Sequence, residues 1–122
     1  MIGIKKLSGS FRYALKGIGY VFSHDQNLRI HFFIGVIVII VSILLGLSTF
    51  EIGILGIMIL LVICTEMINS TIEQMVDLIT TEHRKQAEIA KDVAAGMVLT
   101  TAIGSLIIGI LIFTPYVLKL FF

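Results

Sequence analysis

The 122 residues are 57% hydrophobic and only 14% charged, with a mean hydropathy of +1.07. This excludes an ordinary water-soluble domain, in which about a quarter of residues are charged. The net charge of +1 says little by itself, and nothing in the composition points to a nucleic-acid partner. Cys64 is the sole cysteine, so no intrachain disulfide can form, and it reads as a small apolar packing residue.

Residues 4–22 open the chain with Ile4, Leu7, Phe11, Leu15, Ile18 and Phe22 at helical spacing, and with Lys5, Arg12 and Lys16 elsewhere around the axis. The pattern predicts an amphipathic helix lying in the membrane interface. Gly9, Gly17 and Gly19 lower its intrinsic helicity and predict a break or hinge near Gly17–Gly19. The charges leave no unbroken apolar core for a cleavable signal peptide, so the mature chain is expected to begin at Met1.

Three uncharged stretches follow, at 32–50, 52–65 and 93–118. They predict transmembrane helices at about 30–48, 50–79 and 93–118, the second continuing past the roughly 20 residues needed to cross the hydrocarbon. Its last turns must then project into the interface. Gly46, Ser48 and Thr49 suit the turn after the first span, and residues 80–82 are a stop or a new helix start, with Thr80 or Thr81 a candidate N-cap for a short segment through Lys91. Small residues from Ala94 to Gly109 give the third span a side suited to close helix packing. Pro115 falls near its outer end, where a lost hydrogen bond costs least. The fold class is an all-α membrane protein, with three transmembrane helices plus the interfacial helix in one domain over 1–122.

Charge placement predicts orientation. Lys5, Lys6, Arg12, Lys16 and Arg29 precede the first span and Arg84, Lys85 and Lys91 precede the third, whereas the 47–50 turn carries no cation. By the positive-inside rule the N-terminus and the 80–91 loop are expected in the cytoplasm.

Glu66, Asn69, Glu73 and Asp77 recur at intervals of three and four after the second uncharged run, on one helix face where the span surfaces. Carboxylates there are costly unless they face a partner, a cavity or a metal, so the stripe reads as a functional site. Solvation of a helix end explains Asp77 easily and Glu66 poorly. Two more polar clusters, Asp25, Asn27, Arg29 and His31 before the first span and Lys91 with Asp92 before the third, belong to the same interface. Convergent acids and a lysine suit ATP with Mg2+, a cation held by one or two carboxylates together with substrate phosphates. A positioned carboxylate can take the proton of a lipid hydroxyl as it attacks the γ-phosphate. The sequence has neither a P-loop nor a protein-kinase glycine-rich loop.

The pattern E-x-x-N-S-x-x-E-x-x-x-D at 66–77, followed by A-K-D-x-A-A-G at 90–96, closely resembles the bacterial integral-membrane diacylglycerol kinase and undecaprenol kinase family, over almost the whole chain. The resemblance implies that Glu66 is the catalytic base, Asn69 a polar contact on the phosphate side, and Glu73 a metal-binding acid. It implies that Lys91 and Asp92 contact nucleotide, as do Tyr13 and Lys16. Residues 25–31 resemble the family's E-x-N-x-R-I-H element, whose acid also binds metal; here Asp25 stands one methylene shorter. Ser70 and Asp77 lie within the same motif.

The resemblance further implies a homotrimer with active sites shared between subunits. The R-I-H element and the lack of Trp are similar to the Gram-positive-type branch, which favours undecaprenol over diacylglycerol as acceptor. Two other readings compete. A proton- or ion-conducting oligomer would use Glu66 but leave Asp25, Lys91 and Asp92 idle, and a purely structural subunit would use the stripe to bind a partner.

Overall fold

The computed structural model describes residues 3–122; the expected mature start at Met1 lies outside them. Four helices follow one another: α1 (Ile4–His24), α2 (Gln26–Leu44), α3 (Thr49–Ile79) and α4 (Lys85–Phe121). The last three are long and apolar enough to cross a membrane, so this is a multi-pass membrane protein. α3 packs against both α2 and α4, and α1 contacts α2.

The helix ends follow from local chemistry. α1 runs unbroken through Gly17 and Gly19, so the expected hinge is absent; isolated glycines cost only about 1 kcal/mol each against Ala. It stops at Asp25, whose extended backbone ends α1 and begins α2. The Asp25 carboxylate accepts from the Leu28 N–H at 3.1 Å, an N-cap that starts α2 at Gln26, earlier than the expected span. Arg29 Nη1 donates to the carbonyls of Phe22 and Ser23 at 2.9 and 2.8 Å, binding orphan acceptors at the end of α1. The Phe22, Phe32 and Phe33 rings pack edge to face around this corner.

α2 ends in a Schellman turn. Gly46 takes φ 76°, its N–H donates to Ile43, and the Leu47 N–H donates to Ser42. Ser48 then caps α3 reciprocally with Glu51, in bonds of 3.2 and 3.1 Å. Thirty-one residues make α3 about 46 Å long at 1.5 Å per residue, well beyond a hydrocarbon core of about 30 Å.

Of the two expectations for residues 80–82 the stop is found, whereas neither Thr80 nor Thr81 caps the next helix, whose N-cap is Arg84. Thr80 ends α3, and its hydroxyl accepts from the Glu82 N–H at 3.1 Å. From Lys85 a single 37-residue helix continues through the third span, because no Gly or Pro interrupts good helix formers between Gln86 and Lys91.

Of the small residues of the third span, Ala94 is buried and a Cβ on Gly104 would meet Met58 of α3 at 3.8 Å. A Cβ built on Gly96 or Gly109 meets nothing within 4 Å, whereas one on Gly35 would lie 2.7 Å from Ile59 Cγ2. The tightest glycine contact is therefore between α2 and α3. Between α3 and α4 the hydroxyls of Thr65 and Thr101 meet at 3.0 Å.

Candidate functional site

The acidic stripe begins inside the helix bundle. Glu66 is only 2% exposed, and its Oε1 stands 3.5 Å from His31 Nε2 of α2. Its other oxygen, Oε2, is buried without a hydrogen-bond partner. A buried acceptor with no partner carries a desolvation cost of about 1–3 kcal/mol, more if ionised, so it marks a position where another molecule's donor would be stabilising.

One turn further along α3 the face opens into a polar cleft of about 270 Å3, lined by Asp25, Gln26 and Asn27 of the α1–α2 corner, by Asn69, Ser70, Glu73 and Gln74 of α3, and by Tyr20, Val21 and His24 of α1. The corner is locked to α3 by the Ser70 hydroxyl, which donates to Asp25 Oδ2 at 2.7 Å. Asn69 Nδ2 donates to Glu73 Oε1 at 3.3 Å, while Asn69 Oδ1 is buried without a partner. Two carboxylates and an unsatisfied amide oxygen thus meet at one cleft.

This donor set fits Mg2+ held jointly with phosphate oxygens, since that cation keeps few protein ligands. Among the described residues no three His, Cys, Asp or Glu side chains form a cage. The shorter arm of Asp25 is spent partly on capping α2 and on Ser70, yet each carboxylate oxygen retains a further lone pair.

Further out, Lys91 Nζ of α4 pairs with Asp77 Oδ1 at 2.7 Å, both side chains well exposed. Asp77, Lys91 and Asp92 line a separate polar cleft at the α3–α4 connection. Within one chain, then, Asp25, Asn27, Asn69, Ser70 and Glu73 come together, and Asp77, Lys91 and Asp92 form a second group. Arg29 serves the α1–α2 corner. Tyr13 and Lys16 lie on exposed α1, with the Lys16 ammonium 5.9 Å from the Tyr13 ring, about two turns before the part of α1 that lines the cleft. Sequence reasoning passed over Tyr20, His24 and Gln74 as cleft residues, and it gave no role to His31. For His31 the signal was present, since it closes the 25–31 element, but its nearness to Glu66 depends on how α2 packs on α3.

A family model described as prokaryotic diacylglycerol kinase matches residues 12–113. A diacylglycerol kinase of Synechocystis is 41% identical over 91% of this chain, which spans only 64% of that protein's length. An undecaprenol kinase of Bacillus subtilis is 40% identical over 87% of this chain and 86% of its own length. A diacylglycerol kinase of Haemophilus influenzae is 33% identical, over 74% and 76% respectively. With a model match over most of its length and relatives near 40% identity on both sides of the acceptor divide, the chain belongs to the prokaryotic diacylglycerol kinase family.

Proposed function

We propose that the protein is an ATP-dependent lipid kinase acting as one unit over residues 1–122, with Glu66 as general base. The observation that carries this reading is the buried Glu66 with a free oxygen, set one to two turns from a cleft holding Asp25 and Glu73. Glu66 would take the proton of a lipid hydroxyl as its oxygen bonds the γ-phosphorus, the bond to the β-phosphate oxygen breaks, and ADP leaves. Mg2+ arriving with the nucleotide would neutralise charge on the transferred phosphoryl group. Asp25 and Glu73 would hold that ion, Asn69 would orient a phosphate oxygen, and Ser70 would keep Asp25 in place. Lys91 and Asp92, with Tyr13 and Lys16, would contact nucleotide.

The favoured acceptor is undecaprenol. Its support is the undecaprenol kinase relative, matched over 86% of that protein's length, together with the R-I-H element. Diacylglycerol is the second reading, favoured by the 41% identical cyanobacterial relative. Positive-inside charges support a cytoplasmic N-terminus and a site at the cytoplasmic interface of the bacterial membrane. A homotrimer with shared sites is supported by two features. Lys91 faces Asp77 rather than the Asp25–Glu73 cleft of its own chain, and Gly96 and Gly109 of α4 present open faces.

The test is transfer of labelled γ-phosphate from ATP in mixed micelles, with undecaprenol and diacylglycerol offered together and Glu66→Gln as control. Undecaprenol preference that vanishes in the variant is expected. Diacylglycerol preference would overturn the acceptor, and transfer to neither by folded protein with Mg2+ present would overturn the kinase reading.

A further inference from the structure

No residue of α1 is buried, yet the helix is strongly sided. Ile4, Leu7, Phe11, Leu15 and Ile18 are all at least half exposed, and at about 100° per residue they share an arc of roughly 80°. Lys5, Arg12 and Lys16 share an arc of about 40° on one flank, and Tyr20 and His24 lie roughly opposite the apolar face. Phe22, last of the apolar face, meets Phe32 and Phe33 of α2 edge to face, and both of those rings are well exposed on the span. The apolar side of α1 therefore continues into the lipid-facing surface of the bundle.

Residues 4–24 contain Lys5, Lys6, Arg12 and Lys16 and no acid. Among the described residues none of the four has an ion-pair partner; Arg12 and Lys16 stand 5.6 and 5.9 Å from the Tyr13 ring centroid. A basic flank beside an apolar face matches an anionic phospholipid surface, where each Lys or Arg strengthens binding by about fivefold. An acidic protein would serve the cations but leave the apolar face bare.

The last two turns of α1 are also one wall of the polar cleft, through Tyr20, Val21 and His24. The helix is tied to the bundle at its corner, by the Arg29 bonds to Phe22 and Ser23 and by the Ser70 bond to Asp25. Its side-chain hydroxyl and imidazole bonds otherwise stay within α1. The tilt of this wall over the cleft is thus set by whatever holds the apolar and basic sides.

We propose that α1 docks on anionic phospholipid headgroups through Lys5 and Arg12, and that this docking seats its last turns against the cleft, so that MgATP binds more tightly in an anionic bilayer. Lys16, at the end of the row nearer the cleft, is left for nucleotide. The proposal rests on the cleft being the nucleotide site and adds what regulates it. Its sign is diagnostic. A negative surface repels MgATP, so charge alone weakens binding there, and tighter binding requires the coupling through α1.

The experiment uses the full chain in nanodiscs of phosphatidylcholine, with or without phosphatidylglycerol. Hydrogen exchange of the α1 amides, read without nucleotide, should slow when phosphatidylglycerol is present. The Kd of a fluorescent ATP analogue with Mg2+ should fall roughly fivefold. Both differences between the bilayers should vanish in the double variant Lys5→Gln with Arg12→Gln, survive in Lys5→Arg with Arg12→Lys, and collapse in high salt. Equal α1 exchange in the two bilayers, as expected if the helix lies against a second copy, would overturn the docking. So would a lipid effect that persists in the Gln variant. Slower exchange with unchanged or weaker nucleotide binding would overturn the coupling. Absence of nucleotide binding in both bilayers would instead overturn the cleft reading, and with it the coupling, while the exchange data would still decide the docking.

Discussion

The two ends of the α3 acidic stripe carry the same chemistry in opposite surroundings. At one end Glu66 is 2% exposed, has an unpartnered oxygen and faces a histidine. Eleven residues on, Asp77 is well exposed and paired with Lys91 at 2.7 Å. A carboxylate withdrawn from water carries an unmet demand for a donor, and so can respond sharply to a substrate. An exposed ion pair is already served by solvent and salt. Function is therefore expected to concentrate at the buried end, and nucleotide capture to be graded along the rest.

The largest effect should come from Glu66→Gln. If it is the base, kcat should fall by about 10^2- to 10^4-fold while nucleotide binding, read by titration with a fluorescent ATP analogue, stays near wild type. Retained turnover would remove the contrast between the two ends.

Glu73→Gln probes the middle of the stripe. It should raise the Mg2+ and MgATP concentrations for half-maximal rate by about tenfold, near 1.4 kcal/mol, and reduce kcat less than the Glu66 variant does. Unchanged Mg2+ dependence would place the metal elsewhere.

Gly35→Ala disturbs the scaffold behind the buried end. Its methyl would lie 2.7 Å from the Cγ2 methyl of Ile59, which is fixed to a branched Cβ and yields little, so α2 must move from α3 one turn below His31. Overpacking of this kind costs about 1–3 kcal/mol, and unfolding in detergent should shift accordingly. An unperturbed melting temperature would show that α2 and α3 yield freely.

Thr65→Val keeps volume and removes the hydroxyl that meets Thr101. Interhelical hydrogen bonds in membranes average about 0.6 kcal/mol, so a small loss of stability with intact nucleotide affinity is expected. The least effect on folding should follow Asp77→Asn, where any change in melting temperature should disappear in high salt. A stability loss that persists in salt would mean that the exposed end is built into the scaffold.

Much of this was legible from residue patterns because the bilayer is an exacting solvent. Uncharged runs located all three spans, and the period of Ile4, Leu7, Phe11 and Leu15 located α1. The stripe at 66–77 and the 25–31 element held the acids and amides of the cleft, since side chains three and four apart on a helix must share a face, while its α1 wall of Tyr20, Val21 and His24 lay outside both. The errors have a common origin. The hinge at Gly17–Gly19 was inferred from local propensity, whose penalties of about 1 kcal/mol per residue are too small to interrupt a long helix, and the N-cap at Thr80 or Thr81 from residue type alone, whereas α4 begins only after Arg84. Arg29 stood in the sequence only as part of the 25–31 element; that its guanidinium bonds the Phe22 and Ser23 carbonyls depends on the corner at Asp25, which no pattern of residue types encodes.

By itself, the sequence determined that this chain crosses a membrane three times and carries acids where the second span surfaces, because hydropathy and helical period are properties of residues near one another in the chain. Tertiary structure alone decided which acid is buried, which histidine meets it, and which turns of α1 wall the polar cleft. Those depend on the approach of α2 to α3 at Gly35 and on the corner at Asp25, contacts between distant segments whose geometry is set by packing.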